Sequence, residues 1–275
     1  MNRRMLLAGS AASLMAPSAL AAEDRVAVAS PIMIGTSYAS ESPLMGEVRR
    51  LCVWLPASYG KGEAKYPVLY LLDGGLDEDF HHISGLANIS GSYGVTREFI
   101  VVGIESGPRR RRDMTFPSSL PDDVKAIPAN GGSARLRRYL AEEVIPWAER
   151  KYRASGERVV MGESLAGLFV VETLLKQPDL FSAYIAIDPS LWWNGGSLAR
   201  DRSLPGWTAL TPRRRVFVAM SSQGPTAEAG LLTEGMSGVV DYTWWPMPNQ
   251  THASIYHPAA TDAFRVIFAP PPAAG

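Results

Sequence analysis

Residues 157–175, E-R-V-V-M-G-E-S-L-A-G-L-F-V-V-E-T-L-L, constrain the fold more than any other stretch of the chain. Val159, Val160 and Met161 form a short apolar run that reads as a buried strand. Leu165 to Leu175 has the length and apolar spacing of a helix packed on both sides. Between them lies Gly162-Glu163-Ser164-Leu165-Ala166-Gly167. A strand that becomes a helix in so few residues brings the two backbones nearly into contact. The positions two before and two after the serine must then be small, and Gly162 and Ala166 are. Such a turn thrusts the Ser164 hydroxyl outward, and the Leu165 amide opens the helix with its N–H directed at whatever the serine attacks. A plain strand–helix junction with an idle serine is the competing reading; the two correct flanks favour the first.

The rest of the chain supplies a frame for that turn. A strand is expected over 47–56, a continuous apolar strand over 66–72 that stops at Asp73-Gly74-Gly75, a helix and loop over 81–93, and a strand over 99–104. An edge strand is expected around 31–34. Residues 107–132 form a long polar connection without periodicity, which suggests a functional loop. From Ser133, a candidate N-cap, Leu136, Leu140, Val144 and Trp147 share one helical face. Further strands are expected over 183–187, ending at Asp188-Pro189-Ser190, over 215–220, and over 239–245. A closing helix is expected over 258–268, with Pro258 at its first position. Two-sided apolar strands alternating with helices belong to a mostly parallel sheet covered on both faces. With the serine turn, this is the single-domain α/β-hydrolase arrangement, expected over residues 22–275.

The first residues read as an export signal. Met1-Asn2-Arg3-Arg4 is basic, residues 5–20 are apolar, and Ala19-Leu20-Ala21 is a small-x-small cleavage site. Cleavage after Ala21 leaves 254 of the 275 residues, enough for a full core. The run is too short and interrupted for a membrane span. Arg3-Arg4 hints at twin-arginine export, with the general secretory route as the alternative, and either makes the mature protein periplasmic or secreted. The single cysteine, Cys52, excludes an internal disulfide. Acidic and basic residues number 27 each, so no global field points to nucleic acid. No cysteine pair or histidine cluster suggests a metal.

A serine hydroxyl needs a base to take its proton. On this fold the order along the chain is serine, acid, histidine, with the histidine after the last strand, so His252 is favoured over His257, and His81 and His82 lie too early. The acid is expected after strand 215–220, where Glu228 comes first and Glu234 second. Asp188 at the end of an earlier strand, a remote Asp241, or no acid at all are the alternatives. The oxyanion needs two amide donors, assigned to Leu165 and to Gly75. Arg109-Arg110-Arg111-Arg112 lies at a ligand-binding strand edge and, with Trp192-Trp193, forms a candidate clamp for an anionic aromatic substrate; a solvated basic face is the alternative. Arg213-Arg214-Arg215 is expected at the opposite edge and only solvated.

These residues carry a family resemblance. Val68-Leu69-Tyr70-Leu71-Leu72-Asp73-Gly74, Arg111-Arg112-Asp113-Met114-Thr115, residues 162–169, residues 181–184, residues 188–193 and Thr251-His252-Ala253-Ser254 resemble the putative-esterase branch of the α/β-hydrolases, which includes esterase D and the periplasmic siderophore esterases. The resemblance implies Ser164 as nucleophile, His252 as base, Arg112 near the substrate, and no cofactor. The related mycolyltransferases favour Gly75 and Glu228. It implies a carboxylic-ester hydrolase working through an acyl-serine on small-molecule siderophore esters, with an acyltransferase or a general carboxylesterase as alternatives. Ala166 stands where the family has glycine.

Overall fold

The central strands carry apolar side chains on both faces and so form the middle of one sheet covered by helices. β1 (Thr36–Ser42), β2 (Glu47–Trp54), β3 (Tyr66–Leu72), β4 (Ile100–Ile104), β5 (Ala154–Glu163), β6 (Ala183–Ile187), β7 (Arg215–Ser221) and β8 (Asp241–Met247) assemble in the order β1-β2-β4-β3-β5-β6-β7-β8. β1 pairs antiparallel with β2, and β2 with β4; every later pairing is parallel. β3, β4 and β6 are buried along their whole length. Their side chains divide with period two: Val68, Tyr70 and Leu72 enter one core layer, Leu69 and Leu71 the other.

The computed structural model describes residues 30–271, and residues from Ile34 onward form one compact unit. The export signal expected over residues 1–21 lies outside the described residues. Helices α1 (Phe80–Ser92), α2 (Arg110–Asp113), α3 (Pro121–Ala126), α4 (Ser133–Tyr139), α5 (Ile145–Lys151), α6 (Leu165–Lys176), α7 (Trp193–Arg200), α8 (Thr226–Met236) and α9 (Tyr256–Ile267) connect the strands. α1 and α9 cover one face through Phe80, Ile83, Ala263 and Phe264. α4, α5, α6 and α8 cover the other through Leu136, Ile145, Phe169 and Leu232. No described helix is long and apolar enough to cross a membrane.

Several local expectations shift. The edge strand is Thr36–Ser42 rather than 31–34, because the turn at Gly46 (φ 69°) sets the register from Ser42↔Glu47 to Thr36↔Val53. The polar connection 107–132 contains α2 and α3. Ser133 is the first helical residue and not the cap. Gly132 holds the cap position because its amide meets the Arg112 carbonyl at 2.8 Å, where a Cβ would lie 2.7 Å from that oxygen. α9 begins two residues before Pro258. Arg214 and Arg215 are not merely solvated: Arg214 pairs with Asp179 at 2.6 Å, and Arg215 with Glu157 and the Ile267 carbonyl. That guanidinium caps the carbonyl end of α9.

Candidate active site

Parallel strands bring their carboxyl ends to one edge of the sheet, and the chain leaves three of them through a non-glycine residue of positive φ. Asp73 after β3, Ser164 after β5 and Asp188 after β6 all have positive φ, at 52°, 59° and 42°. None is glycine, so each bend stores about 1–3 kcal/mol that surrounding packing must offset. At Ser164 the packing is visible. A Cβ on Gly162 would lie 2.6 Å from the Ala166 Cβ, and one on Gly167 would lie 3.0 Å from both the Ile187 carbonyl and the Pro189 Cα. The Ser164 amide donates to the Ile187 carbonyl at 3.0 Å, and α6 starts at the next residue, with the Leu168 amide donating to the Ser164 carbonyl at 2.9 Å.

Three side chains from separate strand ends meet at that hydroxyl. His252, in the loop after β8, places Nε2 3.1 Å from Ser164 Oγ and Nδ1 2.6 Å from Asp188 Oδ2. Asp188 is 3% exposed. Its carboxylate also accepts the Ser221 amide at 2.9 Å and the Ser221 hydroxyl at 2.8 Å. Because that carboxylate only accepts, the imidazole carries its proton on Nδ1 and offers the Nε2 lone pair to Ser164. The turn at the end of β7 fixes the base as well: the His252 amide donates to Gln223 Oε1 at 2.9 Å, and the Ser222 amide and hydroxyl donate to the Gln250 carbonyl.

The expected acid, Glu228, is elsewhere. It rides on α8 and accepts from Arg200 at 2.8 Å. The β7 turn, Ser221-Ser222-Gln223, carries no carboxylate, and by the time the chain reaches Glu228 its helix faces α7. The acid within reach of His252 is Asp188, one strand earlier. Glu234 and Asp241 are exposed. His257 meets His82 of α1, Nδ1 to Nε2 at 2.7 Å, rather than the serine.

Gly75 also differs from expectation. Its amide is committed to Glu78 Oε2 at 2.8 Å, a carboxylate that accepts the Ser106 and Gly107 amides too. Leu165, the other expected oxyanion donor, is the first residue of α6, directly after Ser164. Arg112 turns away from the serine to bond Asp113 at 2.7 Å and Glu47 at 2.9 Å, alongside the buried Arg49. Arg110 takes the place next to the serine, held by Asp73 at 2.8 Å and the Glu163 carbonyl at 3.2 Å. Trp193 is fully buried, its indole N–H donating to the Phe116 carbonyl at 2.8 Å, so it is a packing residue. Trp192 is 47% exposed and borders the site.

Two adjoining cavities open at Ser164. One of about 240 Å³ is bordered by Arg110, Arg111, Ile127, Leu165 and Trp192. The other, about 200 Å³, is bordered by Asp188, Gln223, Pro225, His252 and Trp192. Ser190 lines both. Sequence reasoning passed over Ser190, Ser221, Gln223, Arg110 and Arg111 as individual site residues; their shared signal is a place at a strand's carboxyl end or in the segment that follows it. Burial raises the Glu163 carboxyl to about 7, against the pull of His252. Burial also raises Asp79 to about 6, with Asp73 and Glu78 adding to it.

A family model described as "Putative esterase" matches residues 42–237. The ferri-bacillibactin esterase BesA of Bacillus subtilis (strain 168) is 38% identical over 146 residues, 48% of this chain and 50% of that protein. The siderophore enterobactin esterase of Emericella nidulans is 36% identical over 103 residues, 34% of each chain. The matched part therefore spans half the length of the first relative and about a third of the second. The solved structure of an IroE-like serine hydrolase from Shewanella oneidensis superposes with a TM-score of 0.74 at 28% identity, covering 85% of this chain and 80% of that one.

Proposed function

This chain belongs to the putative-esterase family, and on that premise we propose that it hydrolyses carboxylic esters through an acyl-serine intermediate. The observation that carries the reading is the continuous run of contacts from Asp188 through His252 to Ser164, at 2.6 and 3.1 Å. Ser164 Oγ attacks the ester carbon while its proton passes to His252 Nε2. Asp188 holds the imidazole in the Nδ1–H tautomer and stabilises its cation without taking the proton. The Leu165 amide donates to the oxyanion, a contribution of about 3 kcal/mol. Collapse breaks the bond to the alcohol, which leaves with the proton from His252. Water then attacks the acyl carbon, with His252 again acting as base, and frees Ser164.

The substrates are siderophore esters of the enterobactin-trilactone type. The activities for which the two relatives are named support this, as do Arg110, Arg111 and Trp192 around one cavity, groups suited to an anionic aromatic acyl part. Incubation with ferric and iron-free trilactone should yield linear products. Cleavage of neither, alongside brisk hydrolysis of p-nitrophenyl acetate, would leave a general carboxylesterase. The enzyme is exported by residues 1–21 and works as residues 22–275 in the periplasm or outside the cell. Protein recovered there should begin at Ala22; a chain that still begins at Met1 and stays in the cytoplasm contradicts export.

A further inference from the structure

A second serine lies beside the first. Ser190, two residues beyond Asp188, is 5% exposed and places its Oγ 3.4 Å from Ser164 Oγ. The backbone fixes that approach: the Ser190 amide donates to the Ser164 carbonyl at 3.0 Å, and the Ser190 carbonyl accepts the Trp193 amide at 3.1 Å. Among the described residues, the Ser190 hydroxyl has Ser164 Oγ as its one protein partner.

The direction of the contact follows from the bonds around it. Asp188 accepts from His252 Nδ1, so Nε2 is an acceptor and the single Ser164 proton points to it. Ser164 Oγ then has only lone pairs to offer Ser190. From this we infer that Ser190 is a further catalytic residue, a hydroxyl donor to the nucleophile's oxygen, an assignment that rests on the esterase reading above.

At 3.4 Å the contact is longer than the 2.5–3.0 Å of a formed O–H···O bond. It shortens as negative charge gathers on Ser164 Oγ, so the donor binds the transition state more strongly than the resting enzyme. That charge appears twice. In acylation Oγ bonds to the ester carbon as its proton moves to His252. In deacylation Oγ is the leaving atom and regains the proton from His252. Ser190 keeps its own proton in both steps.

The test uses p-nitrophenyl acetate and a fluorophosphonate probe on the full chain. Ser190→Ala should lower kcat and kcat/KM about 10- to 100-fold with KM and melting temperature unchanged, the loss of one hydrogen bond to a charged atom. Ser190→Thr, which keeps the hydroxyl, should recover most of that loss. The labelling rate should fall in parallel, with the adduct still on Ser164. A Ser190→Ala enzyme within twofold of wild type overturns the inference, as does a fluorophosphonate adduct on Ser190 in Ser164→Ala, which would make it a spare nucleophile. If Ser190→Ala melts early, Ser190→Cys, of similar size and a weak donor, carries the test, and full activity there overturns the inference. Absence of any Ser164 adduct in the wild type sinks the esterase reading itself and is distinguished by that.

Discussion

At the scale of single residues, the site separates groups that chain order can place from groups that only distance can. Ser164 and His252 were readable because a cramped turn marks the serine and the loop after the last strand favours His252 over His257, and the structure brings the two within 3.1 Å. The partner of His252 was not readable, because the ends of β6 and β7 are neighbours and one imidazole reaches either. The four consecutive arginines divide two and two: Arg110 and Arg111 border the cavity, whereas Arg109 and Arg112 both reach Glu47. Turnover of p-nitrophenyl acetate checks the assignment. Ser164→Ala and His252→Ala should each lose about 10⁶-fold if the pair acts as a unit. Asp188→Asn should lose about 10⁴-fold, the cost of the wrong tautomer. Glu228→Gln, which breaks only the pair with Arg200, should stay within about twofold. A collapse in Glu228→Gln with Asp188→Asn unaffected would reverse the acid assignment.

At the scale of elements, close approach decides where a side chain is tolerated. Gly162, the penultimate residue of β5, lies against the first turn of α6, and any Cβ there meets the Ala166 methyl and carbonyl carbon at 2.6 and 2.7 Å. Gly162→Val should destabilise by about 1–3 kcal/mol through overpacking. Gly230 is the control: it lies in the middle of α8, and a Cβ there has nothing within 4 Å. Gly230→Ala should stabilise by about 1 kcal/mol, since glycine inside a helix costs about that much. Thermal melts of the two variants should therefore move in opposite directions, and two shifts of the same sign would contradict the packing account. The central strands were legible because continuous apolar runs have few other uses. The edge strand was not: Thr36–Ser42 is polar, and its place is set by pairing with β2 rather than by its own pattern. The short helices of the 107–132 connection escaped for the same reason, being fixed by contacts such as the Asn194 amide on Asp123 at 2.9 Å.

At the scale of the molecule, a parallel sheet gathers strand ends along one edge and so collects carboxylates there at a cost. Glu163, with its carboxyl at about 7 against an ordinary 4.5, binds a proton more tightly folded than unfolded. Its favourable contribution is complete below about pH 4.5 and is lost as pH rises toward 7. Relative to the wild type, Glu163→Gln should therefore gain melting temperature across that interval and hold the gain above it. Parallel curves from pH 4 to 8 would refute the burial argument. The same gathering of strand ends lets residues separated by 24 and 64 positions, Ser164 to Asp188 and Asp188 to His252, act as one unit. Treating the wild-type protein with a fluorophosphonate and mapping the adduct by mass spectrometry tests that unit most directly. The account predicts a single adduct on Ser164 that forms in the wild type and is lost in His252→Ala. An adduct on another residue, or one on Ser164 that forms equally fast without His252, would contradict it.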